Sequence, residues 1–237
     1  SEVGRASVIT DDAEHIKRII FHPRMLPALV ILDPQLSIGL PPKITAATGM
    51  DALSHSLEAY CSPLFHPMAE GIALEGMRLV QHYLPRAVSK GSDVEARLQM
   101  LVASSMGATA FQRGLGAMHA LAHPLGALYD AHHGLLNAVL MPYVLQANRT
   151  RIEPQMERLA RYLNLAKPGF TGVLDWVLHL RNEVGIPHSL AEIGIDDSRL
   201  EQVGQMAEVD PSAGTNPIAF SASEYSQLFG KALRGEL

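Results

Sequence analysis

The run Ala46-Ala47-Thr48-Gly49-Met50-Asp51-Ala52-Leu53-Ser54-His55-Ser56-Leu57-Glu58-Ala59-Tyr60 decides the fold of this chain. Asp51 and His55 stand four residues apart, a spacing that puts both side chains on one face of a helix. Met50, Leu53, Leu57 and Tyr60 line another side, and Ala46, Ala47, Ala52 and Ala59 keep the rest small and apolar. That composition describes a helix packed on several sides. A carboxylate beside a histidine in such a helix needs a partner, because an unpaired buried charge is costly. A divalent cation would satisfy both. Taken alone, the pair equally describes a salt-bridged Asp–His couple on a surface.

A second stretch changes the balance. M-H-A-L-A-H-P-L-G-A-L-Y-D-A-H-H-G, from Met118 to Gly134, holds four of the chain's 11 histidines. His119 and His123 form another i, i+4 pair, about 6 Å apart along a helix axis. Pro124 disfavours helix at His123 and predicts a break there. His133 precedes Gly134 at the start of a further helix, and spacing leaves His132 and His133 both open. A metal site draws ligands from separate elements, and two helical segments carrying carboxylate and imidazole supply them. His15, His22, His66, His82, His179 and His188 are scattered and read as solvated or hydrogen-bonded residues. Glu58 and Glu70 read first as residues of solvated faces, with support of the ligands from behind as the alternative, and Cys61 reads as a small buried residue. There is no H-E-x-x-H, C-x-x-C, G-x-S-x-G or P-loop. Gly114-Leu115-Gly116 opens like a dinucleotide fingerprint, but His119 takes the sixth position and no strand precedes it.

In a chain of 237 residues, 47% hydrophobic and 18% charged residues fit a folded protein with a sizeable core. A net charge of −5 without a dense Lys/Arg stripe argues against nucleic acid and anionic membrane as partners. The longest apolar stretch, Leu135 to Leu145, is interrupted by Asn137 and Pro142 and is too short for a membrane span. No signal-peptide pattern opens the sequence. The single cysteine excludes an intramolecular disulfide framework, so the cytoplasm is the expected compartment.

Ala6–Thr10 and Ala28–Asp33 are short apolar runs bounded by turn residues and are expected to be strands. From Thr45 the pattern is helical, with runs near Met68–Leu84, Val94–Ala110, Leu135–Ala147, Glu153–Leu163, Val173–Val184, Ser198–Ala207 and Ser223–Leu233. Ser92-Asp93 offers a cap for the second of these, and Ser221 with Glu224 forms a capping-box pattern for the last. The expected fold class is mainly α: two strands and then about eight helices, without the strand–helix alternation of a parallel sheet.

A-A-T-G-M-D-A-L-S-H-S-L-E-A-Y, M-H-A-L-A-H-P-L-G and H-H-G-L-L-N-A together resemble the iron-containing (group III) alcohol dehydrogenase family. The opening S-E-V-G-R-A-S-V-I-T and the run D-P-S-A-G-T-N-P from Asp210 to Pro217 extend the resemblance over the whole chain. It implies an all-helical metal-binding domain of the dehydroquinate synthase-like superfamily over residues 43–237. Residues 1–42 would then be a two-strand remnant of an α/β nucleotide-binding domain, most of which is not in this sequence. The resemblance assigns Asp51, His55, His119 and His133 as metal ligands, choosing His133 over His132. It makes His123 a catalytic, proton-handling residue beside the substrate and Lys17 a contact of the nicotinamide cofactor. The implied cofactors are Fe(II), with Zn(II) as an alternative, and NAD(P). The implied activity is reversible hydride transfer between NAD(P) and a small alcohol or aldehyde, in a homo-oligomer. A non-catalytic metal-binding helical fragment and a glycerol-dehydrogenase-like relative are the alternative readings.

Overall fold

The computed structural model describes residues 3–4, 6–11 and 16–237, with the side chains at 6, 8, 10, 16, 17 and 19 outside that description. Residues 1, 2 and 5 of the opening run therefore lie outside it, as does His15. Strand β1 (Ala6–Asp11) forms where the sequence predicts it. Its partner is β2 (Ile16–Phe21), antiparallel, with Ala6 opposite Phe21 and Thr10 opposite Lys17. The expected strand at Ala28–Asp33 is not one. Pro27 and Pro34 bracket it, and the Asp33 carboxylate accepts the Gln35 N–H at 2.9 Å to start a short 3-10 turn, Pro34–Ser37. Leu29 and Ile31 are left 76% and 79% exposed, so the run is apolar without being core. I-K-R-I-I-F does not read as a strand in sequence because Lys17-Arg18 interrupts its apolar run.

Eight helices follow: α1 (Pro42–Cys61), α2 (Pro67–Ser89), α3 (Val94–Ala110), α4 (Ala117–Tyr129), α5 (His133–Tyr162), α6 (Gly169–Glu183), α7 (Leu200–Glu208) and α8 (Ala222–Arg234). α1 begins on a proline, which loses nothing at a helix start because the first N–H groups have no intrahelical acceptor. It is the central helix, packed against α2, α3 and α5. Met50, Leu53, Leu57 and Tyr60 are buried in that contact, as the sequence pattern requires. The expected caps form at two other helices. Asp93 accepts the Ala96 N–H at 3.0 Å, and Ser221 and Glu224 make the reciprocal box that opens α8. None of the helices among the described residues is long and apolar enough to cross a membrane.

Two expected helix boundaries are absent for one reason. α4 runs through Pro124 rather than breaking at His123, and the two runs expected at Leu135–Ala147 and Glu153–Leu163 are one helix, α5, through Pro142 and Pro154. An internal proline removes one hydrogen bond and crowds the preceding turn, at about 3 kcal/mol. Val139, Leu140, Val144, Ile152, Met156 and Leu159 form one continuous buried row along α5, and their burial outweighs that cost.

Glycines set how closely the helices approach α1. A Cβ at Gly134, in the first turn of α5, would lie 2.6 Å from the Ala47 carbonyl oxygen and 3.1 Å from the Asp51 Cβ. One at Gly107 of α3 would lie 3.0 Å from the Ala52 carbonyl oxygen. Gly134→Ala should therefore push α5 off α1 and cost about 1–3 kcal/mol, read as a lowered denaturation midpoint. Cys61, at the end of α1, is buried, and burial followed by the nearby Glu58 carboxylate pushes its thiol up to about 12. The stability linked to this thiol is complete below its ordinary value of 9.0 and is lost as pH rises toward 12. Cys61→Ala should flatten the alkaline fall in unfolding free energy by up to about 1.4 kcal/mol per pH unit. An unchanged alkaline limb would remove Cys61 as its cause.

Candidate metal centre

Three helices meet where the histidines collect. α1 contributes Asp51 and His55, α4 contributes His119 and His123, and the start of α5 contributes His133 and Asn137. One ligand atom each from Asp51, His119 and His133 lies within 4.8 Å of the other two. His55 flanks that trio, its ring stacked on His119 at 4.9 Å between centroids and its Nε2 3.9 Å from Asp51 Oδ2. His132 does something else. It caps α5, its Nδ1 accepting the Leu135 N–H at 3.3 Å, which leaves His133 as the inward-facing member of the pair. His66 likewise serves as a cap, of α2, in keeping with the reading of the scattered histidines.

The donor set suits a divalent cation. Asn137 Nδ2 is 2.8 Å from Asp51 Oδ1, 3.2 Å from His119 Nε2 and 3.1 Å from His133 Nε2. An amide nitrogen has two protons and here faces three acceptors. The other end of the same side chain, Oδ1, is buried without a hydrogen-bond partner among the described residues. Acceptors converging on one point, with too few protons to satisfy them, are what a cation with nitrogen and oxygen ligands needs. Burial alone would push the Asp51 carboxyl up, but His55, His133, His119 and the Asn137 amide outweigh it and hold it well below the usual carboxylate range. Burial, with His55 beside it, holds His119 well below the ordinary imidazole value against the pull of Asp51. Burial lowers His133 as well. Both rings are thereby kept in the neutral form that can ligate.

Two carboxylates hold histidines from behind; the sequence reading offered Glu58 for this only as the lesser alternative and missed Asp210. Glu58, expected on a solvated face, is 5% exposed; its Oε2 lies 2.7 Å from His119 Nδ1 and its Oε1 accepts the Met118 N–H at 2.6 Å. Burial pushes its carboxyl up to about 7, against the backbone N–H groups of Met118 and Gly116. Asp210 Oδ2 lies 2.8 Å from His123 Nδ1, while its Oδ1 accepts the Ser212 N–H at the head of a 3-10 turn, Pro211–Thr215. His123 stacks on His133 at 5.6 Å and meets His119 edge-on at 5.9 Å, so it borders the cluster. A signal for Glu58 and Asn137 did exist: Glu58 lies seven residues after Asp51, and Asn137 four after His133, each on the ligand's own helix face. Asp210 had none, because it is 87 residues from its partner. Glu70 is a partly exposed ion-pair residue, 2.9 Å from Arg113 and 3.3 Å from Arg158. Lys17 lies on β2, a strand that runs against α4, and its side chain is outside the described residues.

Residues 45–233 match the model of the Fe-containing alcohol dehydrogenase family, C-terminal. The chain is 39% identical to a 4-hydroxybutyrate dehydrogenase of Cupriavidus necator, over 98% of this chain and 63% of that protein. It is 35% identical to a 1,3-propanediol dehydrogenase of Citrobacter freundii, over 98% of this chain and 62% of that protein. Among solved structures, a 1,3-propanediol oxidoreductase superposes with a TM-score of 0.93 at 35% identity, over 98% of this chain and 63% of that one. An iron-containing alcohol dehydrogenase from Thermococcus thioreducens gives 0.90 at 31% identity, over 100% and 62%. The chain thus spans less than two thirds of the length of these relatives. On the match over residues 45–233 and these identities, it belongs to the Fe-containing alcohol dehydrogenase family, through that family's C-terminal helical domain.

Proposed function

We propose that this chain is the metal-holding part of an NAD(P)-linked alcohol dehydrogenase that interconverts a small alcohol and its aldehyde. The observation that carries the reading is the convergence of Asp51, His119 and His133 on the Asn137 amide, in a chain of this family. Relatives named for 4-hydroxybutyrate, 1,3-propanediol and methanol support a small substrate with a primary hydroxyl. In this reading residues 1–42 belong with the nucleotide-binding domain and 43–237 form the metal domain. The protein would act as a homo-oligomer in the cytoplasm.

Asp51, His55, His119 and His133 would hold the ion, Fe(II) natively and Zn(II) as a replacement, since imidazole and carboxylate suit both. Bound there, it would supply Lewis acidity toward an alcohol or carbonyl oxygen. The nicotinamide would supply the hydride chemistry, with Lys17 contacting it. His123, its Nδ1 tied to Asp210, would keep Nε2 free to take or return the hydroxyl proton.

Because the chain spans 63% of its first relative, a second reading is that it binds metal without turnover unless more chain is present. The two readings separate by assaying NAD(H) binding and primary-alcohol oxidation on this chain and on a longer version. Activity in neither would defeat the dehydrogenase reading. After anaerobic purification, iron or zinc should be present at near one ion per chain. Asp51→Ala and His119→Ala should abolish that occupancy while the helical circular dichroism persists; unchanged metal content would end the ligand assignment. His123→Ala in the longer protein should keep its metal and lose about 10²–10⁴-fold in kcat. An undiminished kcat would leave His123 no part in proton handling.

A further inference from the structure

We propose that Glu58 is a positioning residue that locks His119 in the Nδ1–H tautomer and so turns the Nε2 lone pair toward Asp51 and His133. The inference deepens the metal-centre reading and rests on it for the ligand half. The other half, the tautomer, belongs to the chain without any ion.

The argument is one of proton counting. The Met118 backbone N–H is a fixed donor, and its bond to Glu58 Oε1 makes that oxygen an acceptor. Oε2 faces His119 Nδ1 at 2.7 Å, where one proton must lie between the two atoms. If the carboxyl held that proton, the neutral ring would carry its own on Nε2, pointing at the Asn137 amide nitrogen 3.2 Å away. Two donors would then face each other. Turning the Asn137 amide over would relieve that contact, but it would set an amide oxygen 2.8 Å from Asp51 Oδ1 with no proton between them. The remaining arrangement avoids both clashes: Nδ1–H donates to Glu58, and Nε2 faces the Asn137 amide as an acceptor. A ring held this way is a ligand whose orientation and basicity are set by the carboxylate behind it.

The sequence places Glu58 for this task in two ways. It lies two helical turns after Asp51, so α1 supplies both a candidate ligand and the group that aims the ligand of α4. Gly116 precedes α4, and a Cβ there would lie 3.0 Å from Glu58 Oε1, so its glycine lets the helix start sit against the carboxylate. Gly116 itself offers no side-chain cap. Glu58 therefore also serves as a remote cap of α4, placing negative charge at a helix N-terminus where it is favourable.

Long-range ¹H–¹⁵N histidine spectra of the metal-free chain, assigned with His119→Ala, should show His119 protonated on Nδ1 and bare on Nε2. Zn(II) titration against a competing chelator should find Glu58→Gln weakened about 10–100-fold. Glutamine cannot present two acceptors to Met118 and His119. Glu58→Asp keeps both acceptors and should retain more affinity than Glu58→Gln. A His119 protonated on Nε2, or a Glu58→Gln chain with undiminished Zn(II) affinity, overturns the proposal. If Glu58→Gln fails to fold, the tautomer of the unaltered chain decides. A His119→Ala chain that keeps its Zn(II) affinity defeats the metal-centre reading instead. A weakened His119→Ala beside an undiminished Glu58→Gln defeats this proposal alone.

Discussion

The charge on Asp51 has to be balanced inside a packed helical bundle, and the surrounding structure answers to that constraint. The carboxylate sits on the central helix, with 19% of its side chain exposed, against His55, His119 and His133. Moving such a charge out of water costs several kcal/mol unless opposite charge or donors compensate. Hydrogen bonds from Asn137 and Ser54 reach its Oδ1, and the imidazoles crowd round the rest. Lone pairs outnumber protons at this point, an imbalance that a cation held there would resolve.

Holding three helices this close demands small residues at their crossings. Gly134 lets the first turn of α5 reach the α1 backbone beside Asp51, and Gly107 does the same for α3 beside His55. Each histidine that borders the cluster from α4 is then steadied from outside: His119 by Glu58 of α1, and His123 by Asp210 of a turn far along the chain. A ring presents one nitrogen inward when something fixes the other, so in the proposed metal centre these carboxylates would orient the rings they hold.

Sequence periodicity read the helices well where burial and local preference agree. α1, α3 and α8 are predicted by their apolar spacing, and Asp93 and the Ser221/Glu224 box cap α3 and α8 as expected. It failed where they conflict. Pro124 is a local helix breaker, yet α4 passes through it, and the two runs expected on either side of residues 148–152 join into one α5, because tertiary burial is worth more than the local cost. Ala28–Asp33 failed in the opposite sense: it is apolar in sequence but pairs with no strand among the described residues, and its flanking prolines withhold ladder donors.

The sequence by itself determined a mainly helical chain with Asp51 and His55 on one helix face, His119 and His123 on another, and His132 or His133 beside them, because i, i+4 spacing and residue chemistry are local properties. Only the tertiary structure decided how the imidazoles are oriented. It gave His132 to a helix cap, drew Asp51, His119 and His133 into one trio with His55 at its flank, and put Glu58 and Asp210 behind the rings. Those are contacts across up to 87 residues of chain, set by how helices pack, and no window of sequence contains both partners.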